Sequence, residues 1–294
     1  MHYKKLLTLI ILSTTLLFSN SDYSSKKELP SIVPMSWLKK NIDNPRLRVI
    51  DLRDEDTYKK GHLKNAVNIP GLKSLFDKKF FMPKLDTLKE LLSNAGIDNK
   101  SLVVAYDGGD FIWAARFYWI LETLGHNNVG LLKIGYSKWF ETQLPTSTKQ
   151  FIAQRKDFIP RVDNEKVQTK LSTLLAIGNK TIIDGRKKSH YEGKESFAKR
   201  FGHIPTAKNY ACTQNYQVSQ NGNKMKDLES LKNIYKDIPK DKEIILYCDG
   251  GAEAALNYIV LKELGYKASV YDGSWLEWGN DAEVPVNNPS KKAN

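Results

Sequence analysis

The sequence predicts an α/β protein built twice over: two tandem domains, each a mainly parallel sheet with helices on both faces. Short apolar runs alternate with stretches of helical spacing along most of the chain, the pattern of parallel strands joined by crossover helices. The motif Val49-Ile50-Asp51-Leu52-Arg53 returns as Ile182-Ile183-Asp184-Gly185-Arg186, an internal repeat at domain scale. The length, 294 residues, is that of two ordinary domains.

The elements follow in order. Lys4 and Lys5 precede an apolar run from Leu6 to Phe18, then Ser19, Asn20 and Ser21. This is the order of a secretory signal, with cleavage expected after residue 21, and an uncleaved anchor is the alternative. The mature protein is therefore expected in the periplasm or outside the cell. No cysteine lies near this run, which excludes a lipid-modified cysteine. The first domain is assigned to residues 30–144. It should hold a helix over 37–42, a strand over 48–52, a helix striped by Leu85, Leu88, Leu91 and Leu92, a strand over 102–106 and a helix over 111–124. Residues 145–161, poor in apolar side chains and rich in Thr, Gln and Lys, read as the linker.

The second domain, residues 162–288, repeats the plan. Tyr58, Gly61-His62-Leu63, Ala66 and Asn68 return as Tyr191, Gly202-His203-Ile204, Ala207 and Asn209, with a longer insert. Leu228, Leu231 and Ile234 mark its intermediate helix. Gly135-Tyr136-Ser137-Lys138-Trp139 returns, one residue longer, as Gly273 to Trp278. His62 and His203 occupy the same turn in both copies and are expected to pack rather than react. Trp275 and Trp278 are expected in the core.

Within the second copy the stretch from Glu243 to Leu264 organises the chemistry. An apolar strand over 244–247 runs into Cys248, Gly250 and Gly251, and then into a helix with Ala255, Tyr258, Ile259 and Leu261 on an amphipathic face. The glycines allow a tight turn whose N–H groups point inward, and the helix start adds partial positive charge. Both favour thiolate over thiol and can hold an anion on sulfur. The amides of Asp249, Gly250, Gly251, Ala252, Glu253 and Ala254 form this cradle. Cys248 is expected at the mouth of a cleft between the domains. The only other cysteine is Cys212; a disulfide with Cys248, or a resolving thiol, is the alternative use of the pair.

The charge of +12, from 45 Lys and Arg against 33 Asp and Glu, is spread along the chain. It suits small anionic ligands and gives no recognition helix or basic motif for nucleic acid. No Cys/His spacing points to a metal.

These residues resemble the two-domain rhodaneses, sulfurtransferases of the thiosulfate and 3-mercaptopyruvate type. The likeness rests on DLRDEDTYKKGHLKNAVNIP at 51–70, its echo at 184–209, and VYDGSWLEWG at 270–279. It implies Cys248 as a nucleophile that carries a persulfide between an anionic sulfur donor and cyanide or a thiol, with no cofactor or metal. It also implies Arg186 and Arg200 as substrate-binding groups and a monomer acting on small molecules. Asp184 reads as a structural brace of the loop. The first copy lacks the cysteine and should be inert: Asp107 falls opposite Cys248 if the strands are aligned, and Tyr106 if the Asp-Gly-Gly triplets are. The loop departs from the family by placing acids at Asp249 and Glu253 where cations are common, which leaves the donor open. A non-catalytic exported sulfur carrier is the second reading.

Overall fold

The computed structural model describes residues 27–292, so the segment read as a signal lies outside the described residues. Among the described residues, no helix is long and apolar enough to cross a membrane. Two five-stranded sheets account for most of the strand residues. The first runs in the order Ile32–Val33, Val129–Leu132, Leu102–Tyr106, Leu47–Asp51, Ala66–Asn68, with every neighbour parallel. The second runs Val167–Gln168, Ala268–Tyr271, Ile244–Tyr247, Thr181–Asp184, Lys208–Asn209, again all parallel. The order is the same in both, as a duplication requires. Central strands such as Leu102–Tyr106 and Ile244–Tyr247 are buried along their whole length. That is why they read as continuous apolar runs: helices cover both faces.

Register fixes the correspondence between the copies. Asp51 pairs with Tyr106 in the first sheet, and Asp184 with Tyr247 in the second. Tyr106 thus matches Tyr247, and Asp107 matches Cys248. The hydroxyls agree: the Leu63 amide donates to Tyr106 at 3.1 Å and the Ile204 amide to Tyr247 at 3.1 Å.

Two helices sit back to back between the units. Ile112–Thr123 belongs to the first and Ala252–Glu263 to the second. The second was expected to be amphipathic, but Ala254 to Leu261 are all buried, because one side packs on its own sheet and the other on the neighbouring domain. A single carboxylate, Glu122, is fully buried in this layer. It accepts hydrogen bonds from Tyr118 Oη at 2.8 Å in its own domain and from Tyr258 Oη at 2.9 Å in the other, and Lys262 Nζ closes the set. Three partners from both halves make its burial affordable, where an isolated charge would not be tolerated.

The expected linker is a strap. Thr146–Ser147 pairs antiparallel with His62–Leu63, and the chain then lies on the first domain with Phe158 fully buried. Arg161 donates its amide to Leu124 O at 2.8 Å. One aromatic anchor and backbone hydrogen bonds suffice to hold a polar segment that gives no periodic signal. His62 stacks on Tyr58 at 3.7 Å and His203 on Tyr191 at 3.8 Å, the same packing in both copies. Trp275 and Trp278 are fully buried in the second core.

Candidate active site at the Cys248 loop

The loop begins where the strand Ile244–Tyr247 ends, at the carboxyl edge of a parallel sheet, where such sheets leave room for ligands. Beside it Asp184 ends the neighbouring strand. Its carboxylate accepts from the Arg186 amide at 2.9 Å and from Arg186 Nε and Nη2 at 3.0 and 2.6 Å. Arg186 Nη2 also donates to Gly202 O at 2.8 Å, and the guanidinium lies 4.4 Å over the Trp275 ring. Burial works against the Arg186 charge, but Asp184 outweighs it and leaves it raised. The first copy repeats this brace: Arg53 pairs with Asp51 and donates to Gly61 O at 2.7 Å. An arrangement present in both copies is first of all structural. Arg186 nevertheless has one free end. Nη1 is without a hydrogen bond and stands 3.7 Å from Asp249 Oδ1.

The Gly251 amide donates to Cys248 Sγ at 3.0 Å. Gly251 adopts φ of +88°, in the left-handed region, and caps the helix Ala252–Glu263. The chain can turn its N–H onto the sulfur there because the residue has no Cβ. A Cβ on Gly251 would stand 2.5 Å from Nη1 of Arg116, a fully buried side chain of the other domain. Gly251→Ala is therefore expected to cost about 1–2 kcal/mol in backbone strain, with a further loss from displacing the guanidinium; a urea melt against the unaltered protein reads it.

The first domain shows what such a cradle holds. Asp107, in the place of Cys248, is 1% exposed and accepts from the amides of Gly109, Phe111 and Ala114 at 2.9, 3.1 and 3.2 Å. Burial, and then Asp110, push its carboxyl up to about 7. A carboxyl group of the chain itself takes these amides, and the first loop carries no thiol. An open groove of about 1080 Å3 lies over this loop, lined by Asp54, Glu55, Leu72, Asp110 and Trp113. Cys248 does not line it.

Two expectations about Cys248 need correction. The sulfur is not at an open cleft mouth: the residue is 1% exposed. Phe76 and Phe80 of the first domain, with Leu276, come within 3.7–3.9 Å of where a Cβ on Gly250 would stand, so the first domain borders the loop. Nor is the thiol activated at rest. Burial, then Glu253 and Asp249, push it up to about 12, against the lowering by the Ala254 and Gly250 amides. The Gly250, Gly251 and Ala254 amides face the sulfur, but desolvation and two carboxylates outweigh them. The acids do not face open water. Burial, then Asp249, push Glu253 up to about 7, and burial raises Asp249 although Arg186 and His190 oppose it. His190 went unnoticed in the sequence. Its Nδ1 stands 3.4 Å from Asp249 Oδ2 and its Nε2 3.3 Å from Glu195 Oε2.

Arg200 is not brought to the loop. It donates Nη1 to Val284 O at 2.8 Å and Nη2 to Trp278 O at 2.7 Å. These carbonyls lie at and beyond the far end of the short helix Ser274–Trp278, whose near end reaches Cys248 through the Trp275 amide. The inserted residues before Gly202 carry Arg200 away to pin the C-terminal segment. Cys212 and Cys248 are both free and buried. Burial raises the Cys212 thiol well above its usual range, with the charges of Glu253 and Cys248 adding to it.

Residues 34–142 and 167–281 each match the rhodanese-like domain family. The chain belongs to that family. Among curated relatives, the thiosulfate sulfurtransferase of Corynebacterium glutamicum is 32% identical over 273 residues, 87% of this chain and 89% of that protein. The sulfur carrier protein TtuD of Thermus thermophilus is 30% identical over 280 residues, 87% and 95% of the two chains. Among solved structures, SseA of Escherichia coli, described as a 3-mercaptopyruvate sulfotransferase with the rhodanese fold, superposes with a TM-score of 0.74. It is 27% identical and covers 84% of this chain and 99% of its own. By these relatives the chain is a sulfurtransferase, and each half is a rhodanese domain whose signature loop carries either Cys248 or Asp107.

Proposed function

We propose that this rhodanese moves a sulfane sulfur from thiosulfate or 3-mercaptopyruvate to a thiol or cyanide through a persulfide on Cys248. The observation that carries the proposal is the Cys248 sulfur held by an inward amide at the start of a buried helix, in the place where the other copy holds a carboxylate. The thiolate attacks the outer sulfur of the donor. A new S–S bond forms, the donor's bond to that sulfur breaks, and the electron pair leaves with sulfite or with the enolate of pyruvate, which then takes a proton. The acceptor attacks the same outer sulfur, and Cys248 departs as thiolate, so the exchange is ping-pong. The amides of residues 249–254 hold the charge on the terminal sulfur. Arg186 Nη1, the unpaired end of a braced guanidinium, takes the donor's anionic group in place of Asp249. Lys4, Lys5 and the apolar run that follows support export of the chain.

Cys248→Ser is the direct test. The unaltered protein should gain the mass of one sulfur atom on Cys248 with a donor, lose it to cyanide and turn over repeatedly, while the variant should do neither. Absence of both adduct and turnover in the unaltered protein ends the proposal. The sealed thiol and acidic loop favour one other reading, a sulfur carrier, which loads persulfide stably and transfers it no more than once.

A further inference from the structure

A nucleophile that is 1% exposed cannot meet a donor in the conformation described, so something must uncover it. The segment of the first domain that stands nearest the Cys248 loop is residues 76–82, beside Gly250. Residues 76–82 form a tight loop closed on Asp77, whose carboxylate accepts from the Lys79 and Phe81 amides at 2.8 and 2.9 Å. Phe80 at its tip has φ of +64°, a strained value for a bulky side chain, yet is 45% exposed. A Cβ on Gly250 would stand 3.8 Å from the Phe76 ring and 3.9 Å from the Phe80 Cβ.

This loop is tied to the catalytic domain at one residue of the closing signature, Asp272. The Met82 amide donates to Asp272 Oδ2 at 2.7 Å. Asp272 Oδ1 lies 2.7 Å from Arg116 Nη1, a contact of opposite charges without hydrogen-bond alignment. Arg116, fully buried, also stacks 4.5 Å beneath Phe76, and it is the group that meets the Cα side of Gly251. The same two charges therefore touch the cover and the cradle together.

We infer that Arg116 and Asp272 are positioning residues that latch the 76–82 loop of the inert domain over Cys248, so that this domain gates access to the reactive sulfur. The latch is one amide hydrogen bond and one misaligned ion pair, weak enough for local opening at a free energy far below that of unfolding. The inference rests on Cys248 being the reacting sulfur, but its test uses no sulfur donor and is decided apart from turnover.

Alkylation by neutral iodoacetamide at fixed, mildly alkaline pH, with both cysteines mapped by mass spectrometry, reads the gate. Cys212, buried in the same domain, is the internal control for general loosening. Asp272→Asn removes the charge that holds Arg116. Phe80→Gly removes the side chain whose Cβ stands beside Gly250, together with the backbone strain, while altering no charge and no core residue. Both are expected to speed labelling of Cys248 roughly tenfold, in proportion to the open fraction, with Cys212 unlabelled. Rapid labelling of Cys248 in the unaltered protein, an unchanged rate in Phe80→Gly, or Cys212 labelled in step with Cys248 would overturn the gate.

Discussion

Converting Glu253 and Asp249 together to their amides is expected to lower the Cys248 thiol from about 12 toward the ordinary cysteine range. After burial, these two carboxylates are the largest causes of its elevation. Each unit gained raises the thiolate fraction tenfold below the pKa, while intrinsic nucleophilicity falls about threefold, so alkylation should accelerate roughly threefold per unit. The check is the pH profile of Cys248 alkylation in the doubly amidated protein. The profile should move to lower pH; one that coincides with the unaltered protein would show the acids to be electrostatically silent. Stability gives a second reading. Glu253 is raised from 4.5 to about 7 in the folded chain, so the native state binds more protons than the unfolded one between those values. Stability should therefore fall as pH rises from 4.5 through 7, and Glu253→Gln should flatten that slope.

Asp184→Ala is expected to be the most damaging single change in the second domain. It leaves the Arg186 guanidinium 1% exposed and without its counter-charge, a situation that costs about 3–5 kcal/mol. Asp184→Leu with Arg186→Met removes both charges and should recover most of that loss. Thermal melts of the single and double variants decide it, and equal losses in both would mean that the pair contributes shape rather than charge. The comparison also separates the two uses of Arg186. A double variant that folds yet fails to load sulfur would assign Nη1 to the donor.

The architecture was legible because its signals are local. Apolar runs at Leu102–Tyr106 and Ile244–Tyr247, and the repeated Asp-x-Arg after each inner strand, were enough to expect two parallel sheets with a loop at Cys248. What could not be read comes from contacts between distant segments. Nothing about Arg116, Phe76 or Met82 in the sequence says that they meet Gly251, Gly250 and Asp272 of the other domain. The resting state of the thiol also depends on burial, which the sequence does not show beside the acids Glu253 and Asp249. Arg200 was misplaced for a related reason: its distance from Gly202 along the chain resembles that of a substrate group, but the insert turns it onto the carbonyls of Trp278 and Val284. The Asp107 correspondence needed register, which pairs Asp51 with Tyr106 as Asp184 pairs with Tyr247.

Glu122 has a consequence for how the protein can be handled. Its carboxylate belongs to one half, but Tyr258 and Lys262, which neutralise and bind it, belong to the other. A protease cut in the strap that severed the halves would leave each with an imbalance: a carboxylate that keeps Tyr118 but has lost Tyr258 and Lys262 on one piece, two unanswered donors on the other. Neither fragment should persist alone, and co-expressed pieces should copurify. Loss of the first half would thus be lethal to the fold before it was felt by the chemistry.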